Sequence, residues 1–122
     1  MEVINITERV EGLVRKSGVK SGICLITALH ATAALIINEH EEGLIEDIVV
    51  KIVETFPEGM HYRHDLVDNN APAHLASIFL GSSKSFPIHE GRLLRGVWQN
   101  IFLVELDGPR SRREVAVEIL GE

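Results

Sequence analysis

The chain lacks the features that mark several broad classes of protein. Its 122 residues include a single cysteine, Cys24, so a secreted scaffold held by internal disulfides is excluded. No apolar run approaches the roughly 20 residues of a membrane span, and the first residues lack the basic start and apolar run of a signal peptide. We therefore expect a cytoplasmic protein with no membrane partner, in which Cys24 is buried and inert.

Basic and aromatic residues are also scarce. Twelve Lys and Arg against eighteen Asp and Glu give a formal net charge of −6, which disfavours a nucleic-acid partner. The aromatic residues are four Phe, one Trp and one Tyr, and the rarity of cysteine and glutamine is typical of a thermophilic source. Hydrophobic residues nevertheless make up 45%, so the chain can bury a core as one domain over residues 1–122.

Hydrophobic periodicity predicts strands mixed with helices. The predicted strands cover residues 3–6, 23–30, 33–37, 82–88, 97–106 and 115–119, and the predicted helices cover 8–16, the segment from Asn38 to Phe56, and 71–80. Thr7, Asn38 and Asn70 are the expected N-caps, and 33–37 is a candidate hairpin partner of 23–30. Because hairpins and helices alternate irregularly, we expect a single small α+β domain with antiparallel or mixed sheets.

Histidines and carboxylates concentrate at two places in the sequence. His30 closes an apolar strand, and the segment from His64 to His74 holds two His, two Asp and two Asn around the start of a helix. His30, His64 and His74 suit a divalent metal such as Mg²⁺ or Zn²⁺, or acid–base catalysis, with Asp68 orienting a histidine or binding the ion. Two observations weaken the metal interpretation: the spacing matches no standard zinc signature, and Asp and Asn also serve turns and caps.

The other three histidines, His40, His61 and His89, do not cluster with other candidate site residues and are expected at the surface. Ser82 and Ser83 follow Gly81, where they could hold a phosphate, although a glycine that ends a helix is the simpler interpretation.

Gln99 and Glu105 are predicted on one face of a long strand. Six residues of strand span about 20 Å, so the two side chains cannot serve the same small site from one chain. Arg110 is a candidate partner for a carboxylate or phosphate, but together with Arg112 and Arg113 it is more typical of a solvated basic patch.

Several spaced motifs together resemble a known family. The first two are His30-x-Thr32-Ala33-Ala34-Leu35-x-x-Asn38-Glu39 and Tyr62-x-His64-x-x-x-Asp68-x-Asn70-Ala71-x-Ala73-His74. The others are Gly81-x-Ser83, Pro87, Gly91-Arg92-Leu93, Gly96-x-Trp98-Gln99 and Glu105-x-Asp107-Gly108-Pro109-Arg110. In this order they resemble the YjbQ-like family, also called the secondary thiamine-phosphate synthases. Leu29 and Ala31 depart from the family pattern around the first histidine.

The resemblance implies a sandwich-like α+β fold, a homotrimer and thiamine-phosphate synthase as a side activity. That reaction joins a hydroxymethylpyrimidine diphosphate to a thiazole phosphate and expels pyrophosphate, so the charge of the leaving group must be neutralised. The predicted contacts to such a phosphate-bearing substrate are Thr32, Asn70, Ser82, Ser83, Gln99, Glu105 and Arg110, with Glu105 contributed by a neighbouring subunit. Two alternatives stay open: a protein that binds a metal or small ligand without turnover, and a structural oligomer whose polar residues satisfy one another.

Overall fold

The structure, a computed structural model, describes residues 1–122 and contains seven β-strands and three α-helices. In chain order these are β1 (Glu2–Asn5), α1 (Thr7–Ser17), β2 (Ser21–Ala28), β3 (Ala33–Asn38), α2 (Glu42–Thr55), α3 (Ala71–Leu80), β4 (Ser83–His89), β5 (Arg92–Leu93), β6 (Asn100–Glu105) and β7 (Val115–Gly121). A short 3-10 helix, Arg63–Leu66, precedes α3.

The strands form two antiparallel sheets. In the three-stranded sheet, β6 lies between β1 and β3, and the four-stranded sheet has the order β5-β4-β2-β7. The register places Glu105 opposite both Glu2 and Ala33. The predicted α+β fold is therefore confirmed, with the first strand, β1, beside β6 in one sheet and the last strand, β7, beside β2 in the other.

The two sheets stack face to face because alternation along the strands directs apolar side chains to the face that meets the other sheet. The main core lies between them and includes Cys24 and Ile26 from β2, Leu35 from β3 and Ile101 from β6. Cys24 is fully buried, as predicted, and burial raises the pKa of its thiol. Val10, with Val14, closes this core from α1.

A second, smaller core lies on the other face of the three-stranded sheet. Here Ile52 of α2 and Ala76 of α3 pack against Ala34 and Val104. The structure thus has three layers, with α2 and α3 outermost on one side and the four-stranded sheet on the other.

β2 and β3 follow each other in the chain but do not form the predicted hairpin. β2 pairs with β4 and β7, whereas β3 pairs only with β6. Residues 29–32 cross from one sheet to the other, which places His30 and Thr32 at the end of the sandwich. The hairpin prediction was wrong because two apolar strands with a short connection fit a crossover between sheets equally well.

Two of the predicted N-caps are also corrected. Thr7 is the first residue of α1 rather than its cap, and its hydroxyl donates to Oδ1 of Asn5 (2.6 Å). Asn38 does not cap α2; the carboxylate of Glu41 does, by accepting hydrogen bonds from the backbone N–H groups of Gly43 (2.7 Å) and Leu44 (2.9 Å). A glutamate can cap a helix because its carboxylate also meets the positive end of the helix dipole.

The strand predicted over 97–106 begins later, at Asn100. Residues before it close a loop, in which Oε1 of Gln99 accepts from the N–H of Gly96 (2.6 Å) and Arg95 donates to the carbonyl of Gln99 (2.6 Å). Gln99 therefore does not share a strand face with Glu105. The two-residue strand β5 was not predicted.

The longest helix, α2, has 14 residues, and none of the helices is both long and apolar enough to cross a membrane.

Two glycines with different surroundings give a test of the packing of β2. A Cβ on Gly22 would overlap the backbone carbonyl of Leu120 and come within 2.8 Å of the Cα of Gly121. We expect Gly22→Ala to lower the free energy of unfolding by about 1–3 kcal/mol, as overpacking does. Gly12→Ala, in α1, should raise it by about 1 kcal/mol, because the nearest atom is 3.9 Å away and alanine favours helix. Urea unfolding measures both, and stabilisation by Gly22→Ala would contradict the close strand contact.

Candidate functional site

Two of the predicted histidines lie against each other beside the first turn of α3. The imidazole rings of His64 and His74 have centroids 4.4 Å apart and planes inclined by 76°. Nε2 of His64 is buried and has no hydrogen-bond partner. Imidazole is the side chain most often used for general acid–base catalysis, so this pair is the candidate acid–base group of the loop.

The loop before α3 holds this pair in place. Oδ1 of Asp65 accepts a hydrogen bond (2.9 Å) from the backbone N–H of Ala71, which satisfies one of the free donors at the start of the helix. The carbonyl of Asn70 accepts from the N–H groups of Ala73 (3.1 Å) and His74 (3.4 Å). α3 thus begins at the predicted residue, but the side chain that caps it belongs to Asp65 rather than Asn70.

Small side chains allow α3 to lie close to the three-stranded sheet. Ala71, Ala73 and Ala76 are buried, and the hydroxyl of Ser77 donates to the carbonyl of Ala33 (2.7 Å). This packing fixes the helix, and with it the position of the His74 backbone.

His30 is engaged elsewhere. Its Nε2 accepts a hydrogen bond (2.7 Å) from the backbone N–H of Glu114, just before β7. Because that nitrogen uses its lone pair on Glu114, the ring proton must be on Nδ1. His30 therefore holds the loop before β7 against the crossover between the sheets.

The carboxylate of Asp68 makes no hydrogen bond to a histidine, and the residue is exposed. Only its backbone N–H is engaged, with the carbonyl of His64 (3.2 Å). Within one chain, no three His, Cys, Asp or Glu side chains are grouped so that they could hold a metal ion. The predicted convergence of His30, His64 and His74 on one metal is therefore not found in a single chain.

A buried ion pair closes the end of the sandwich near His30. Arg113 donates from Nε to Oε1 of Glu105 (2.7 Å) and from Nη2 to Oε2 (2.6 Å), with the two side chains 12% and 7% exposed. Nη2 also donates to the hydroxyl (3.0 Å) and carbonyl (3.1 Å) of Thr32. The hydrogen bond from Arg113 lowers the pKa of Glu105 against the opposing effect of burial, and the same contact raises the pKa of Arg113.

This pair corrects one expectation, because Arg113 is not part of a solvated basic patch. Thr32 and Glu105, two of the predicted substrate contacts, bind Arg113 within the chain.

A second polar chain links the start of α3 to the turn after β6. Nδ2 of Asn70 donates to Oδ2 of Asp107 (2.8 Å), and Arg110 binds the same carboxylate oxygen. The hydrogen bond from Asn70 and the contact with Arg110 together lower the pKa of Asp107. Oδ1 of Asn70 is buried without a partner. The start of α3, which carries His74, is thus tied through Asn70 to an ionised carboxylate that also binds a half-exposed arginine.

The remaining predicted substrate contacts are Ser82, Ser83 and Gln99, and of these the hydroxyl of Ser82 has no partner within the protein. The carbonyl of Ser82 accepts from the N–H of Ala28 (2.8 Å), and the hydroxyl of Ser83 lies 2.9 Å from that of Thr27. Gln99 closes its own loop, as described above. His40, His61 and His89 are all exposed, as predicted.

Comparison with known proteins agrees with the motifs. The family model described as UPF0047 protein YjbQ-like matches residues 1–122. The chain belongs to the YjbQ-like family. A UPF0047 protein of Methanothermobacter thermautotrophicus is 41% identical over 122 residues, covering 100% of this chain and 85% of its own. One from Archaeoglobus fulgidus is 44% identical over 115 residues, covering 94% and 89%.

Solved structures of similar chains share the fold. A YjbQ-like protein of unknown function from Sulfolobus solfataricus is 58% identical, with a TM-score of 0.98 over 99% of this chain and 88% of that one. A hypothetical protein from Aeropyrum pernix is 42% identical, with a TM-score of 0.94 over 99% and 90%. The arrangement of sheets and helices is therefore that of YjbQ-like proteins.

Sequence analysis missed two residues of the loop after β6 in this YjbQ-like protein, Asp107, which binds Asn70, and Arg113, which binds Glu105. Asp107 lies in a motif of the family resemblance, but we did not include it among the site residues. Arg113 lies in an arginine cluster that suggested solvent exposure. A carboxylate two residues before Asp107, at the end of a buried strand, was the available signal, because a buried Glu105 needs a cationic partner.

Proposed function

We propose that the protein is an enzyme that uses the His64–His74 pair for acid–base catalysis on a small phosphate-bearing substrate, with thiamine-phosphate synthase-like activity. The observation that carries the proposal is the buried, unpaired Nε2 of His64 in edge-to-face contact with His74. A buried polar atom without a partner is rare and costs free energy, so its presence beside a second imidazole supports a catalytic role for the pair. The choice of reaction comes from the family resemblance.

In that reaction the C–O bond between the pyrimidine methylene and its diphosphate breaks, and a C–N bond to the thiazole forms. Pyrophosphate leaves with the electrons of the broken bond, so a proton donor at its oxygen lowers the barrier. We assign this proton donor to the histidine pair. Asn70 and Arg110 are retained as substrate contacts, because Asn70 has an unpaired oxygen and Arg110 is half exposed beside it.

A divalent metal has no step in this proposal. Imidazole nitrogens suit Zn²⁺, but a catalytic zinc site usually needs three protein ligands. His64 and His74 supply two, while the Nε2 lone pair of His30 is used by Glu114. The residues of one chain therefore do not fit such a site.

We also propose that the protein acts as a cytoplasmic homotrimer. Support for an assembly comes from the loop before β6, where Val97 is 80% exposed and Trp98 is 68% exposed. Nε of Arg95 donates to Oε1 of Glu11 in α1 (2.7 Å), which fixes the loop that carries Val97 and Trp98. Exposed apolar groups on a fixed loop are typical of contacts with another protein surface.

The proposed catalytic role is tested by replacing each histidine with glutamine, which keeps a polar side chain but cannot exchange a proton near neutral pH. We expect His64→Gln and His74→Gln to slow formation of thiamine phosphate from the two precursors about a hundredfold, within the range of general acid–base catalysis. Product is measured by chromatography under saturating precursors, with circular dichroism to verify folding.

His89→Gln is the matched control, because His89 is exposed at the end of β4, and its rate should equal that of the wild type. Equal rates for all three variants would remove the histidine pair from the mechanism. If the wild type forms no product, the proposed reaction is refuted.

A further inference from the structure

The Gly91-Arg92-Leu93 motif has no part in the proposed function. Gly91 and the preceding Glu90 both have positive φ (81° and 52°), as a two-residue hairpin turn between β4 and β5 requires. Leu93 is buried in the main core. Arg92, by contrast, is exposed, and its guanidinium makes no hydrogen bond or ion pair within the chain. The fold therefore explains Gly91 and Leu93 but gives the side chain of Arg92 no structural role.

Arg92 lies between two adjoining clefts beside the end of α1, and Arg15 lines both of them as well. Arg95 lines the larger cleft, of about 450 Å³, and Lys20 lines the smaller one, of about 260 Å³. We call the two together the basic clefts. Four of the twelve Lys and Arg residues thus meet at one place in a chain whose formal net charge is −6.

Most of this positive charge has no counterion in the protein. Arg95 is paired with Glu11 (2.7 Å), which supplies the one carboxylate that lines the larger cleft. Glu90 lines the smaller cleft, but its carboxylate lies 3.7 Å from His89 and is 86% exposed. The cations of the clefts with no carboxylate within 4 Å are Arg15, Lys20 and Arg92. Concave surfaces lined by charge of one sign concentrate counterions.

The backbone holds these cations at the clefts from separate segments. α1 ends at Gly18, whose N–H donates to the carbonyl of Arg15 (3.3 Å). The N–H of Gly91 donates to the carbonyl of Lys20 (3.1 Å), and Nζ of Lys20 lies 3.5 Å from the position that a Cβ on Gly91 would take. The helix dipole accounts for a cation in the last turn of α1, but it does not account for Arg92 on a separate strand.

We infer that the basic clefts bind a compact polyanion that carries at least two carboxylate or phosphate groups and accepts hydrogen bonds from Arg15 and Arg92. Guanidinium groups bind either kind of group with two parallel hydrogen bonds. The only apolar side chains of the clefts are Leu93 and Val97 in the larger and Val19 in the smaller, and no aromatic side chain lines them. The ligand is therefore not a nucleic acid, whose bases stack on aromatic side chains, and it has no large apolar body.

The basic clefts are separate from the histidine pair. α1 closes the main core between the two sheets, whereas α3, which carries His74, packs on the other face of the three-stranded sheet. Neither His64 nor His74 lines the basic clefts. The inference therefore does not rest on the proposed function, and His64→Gln should bind the polyanion like the wild type.

The inference is tested by titrating the ¹⁵N-labelled protein with citrate and, separately, with tripolyphosphate in dilute buffer. We expect saturable shifts at the amides of Gly91 and Gly96, which line the clefts, and none at Ala73, which precedes His74. Acetate, with one carboxylate, should bind at least about tenfold more weakly than citrate. The tighter of the two polyanions identifies the anionic group that the clefts prefer. Saturable binding of neither, or shifts that leave out Gly91 and Gly96, would overturn the inference.

Two matched pairs of variants locate the site. Arg15→Gln and Lys16→Gln each remove one cation from the last turn of α1, but only Arg15 lines the clefts. Arg92→Gln is matched by Arg112→Gln, because Arg112 is exposed and lies outside the clefts. We expect Arg15→Gln and Arg92→Gln to weaken binding about tenfold, the equivalent of one charge-assisted hydrogen bond, and the controls to leave it unchanged. Equal losses within each pair would show attraction to the overall charge alone and would overturn the inference.

Discussion

Replacing Arg113 with alanine is expected to lower the free energy of unfolding by about 3–5 kcal/mol, the usual effect of removing one partner of a buried ion pair. Arg113 makes four hydrogen bonds to Glu105 and Thr32, and its loss leaves the carboxylate of Glu105 buried without a cation. Urea unfolding, compared at one protein concentration so that assembly does not shift the result, measures the difference.

The neighbouring Arg112 provides the control. Its guanidinium lies 3.5 Å from Glu114, and its side chain is 83% exposed, so Arg112→Ala should cost less than about 1 kcal/mol. The double variant Glu105→Leu/Arg113→Met should be more stable than Arg113→Ala, because neither charge is then buried alone. An Arg113→Ala variant as stable as Arg112→Ala would contradict the buried ion pair.

The effect of Arg113→Ala should also depend on pH. Because Arg113 lowers the pKa of Glu105 in the folded protein, the pair contributes stability above the ordinary carboxyl pKa. That contribution is lost as the pH falls through the lowered pKa and Glu105 is protonated. The difference between wild type and variant should therefore shrink in strong acid.

Phe102→Ala is expected to cost about 3–5 kcal/mol, as truncation of a buried aromatic side chain does. Phe102 is fully buried on β6, the central strand of its sheet, where it pairs with Asn5 and Ile36. The ring of His40 covers it edge-on, with centroids 5.5 Å apart. The variant therefore leaves a cavity where three strands meet, and thermal or urea unfolding measures its cost.

Phe79→Ala is the matched control for this substitution. Phe79 lies on α3 and is 77% exposed, although its ring packs against that of Phe56 at 5.4 Å. We expect its loss to cost less than about 1 kcal/mol, since little of its surface is removed from water. Equal costs for the two variants would show that β6 is not the centre of the fold.

Much of the secondary structure was predictable because it depends on local patterns. The α3 boundaries follow from Ala71-Pro72 and Gly81, and β4 and β7 follow from alternating apolar residues. Strand pairing was harder to predict, since β3 selects β6 rather than its neighbour β2 through contacts distant in the chain. The start of β6 was also missed, because side-chain hydrogen bonds of Arg95 and Gln99 close a loop where the residue types favour a strand.

The candidate site was predictable in part for the same reason. His64 and His74 lie on one short loop and the helix that follows it, so their proximity is a local property. The partners of Glu105 and Asn70 were harder to predict. Arg113 reaches Glu105, and Asp107 reaches Asn70, only because of the conformation of the loop between β6 and β7. The number of residues between two positions does not specify the conformation of that loop.

The pairing of β1 with β6 has a consequence for the synthesis of the protein. Glu2 lies opposite Glu105, so β1 has no partner strand until β6 has been synthesised. The central strand of that sheet arrives late, and β7 later still. The three-stranded sheet therefore cannot form before β6 has been synthesised, and native contacts between distant residues slow folding further. Until β6 is present, the apolar residues of β3 have no partner strand and stay exposed. Exposed apolar segments of this kind are typical binding sites for chaperones.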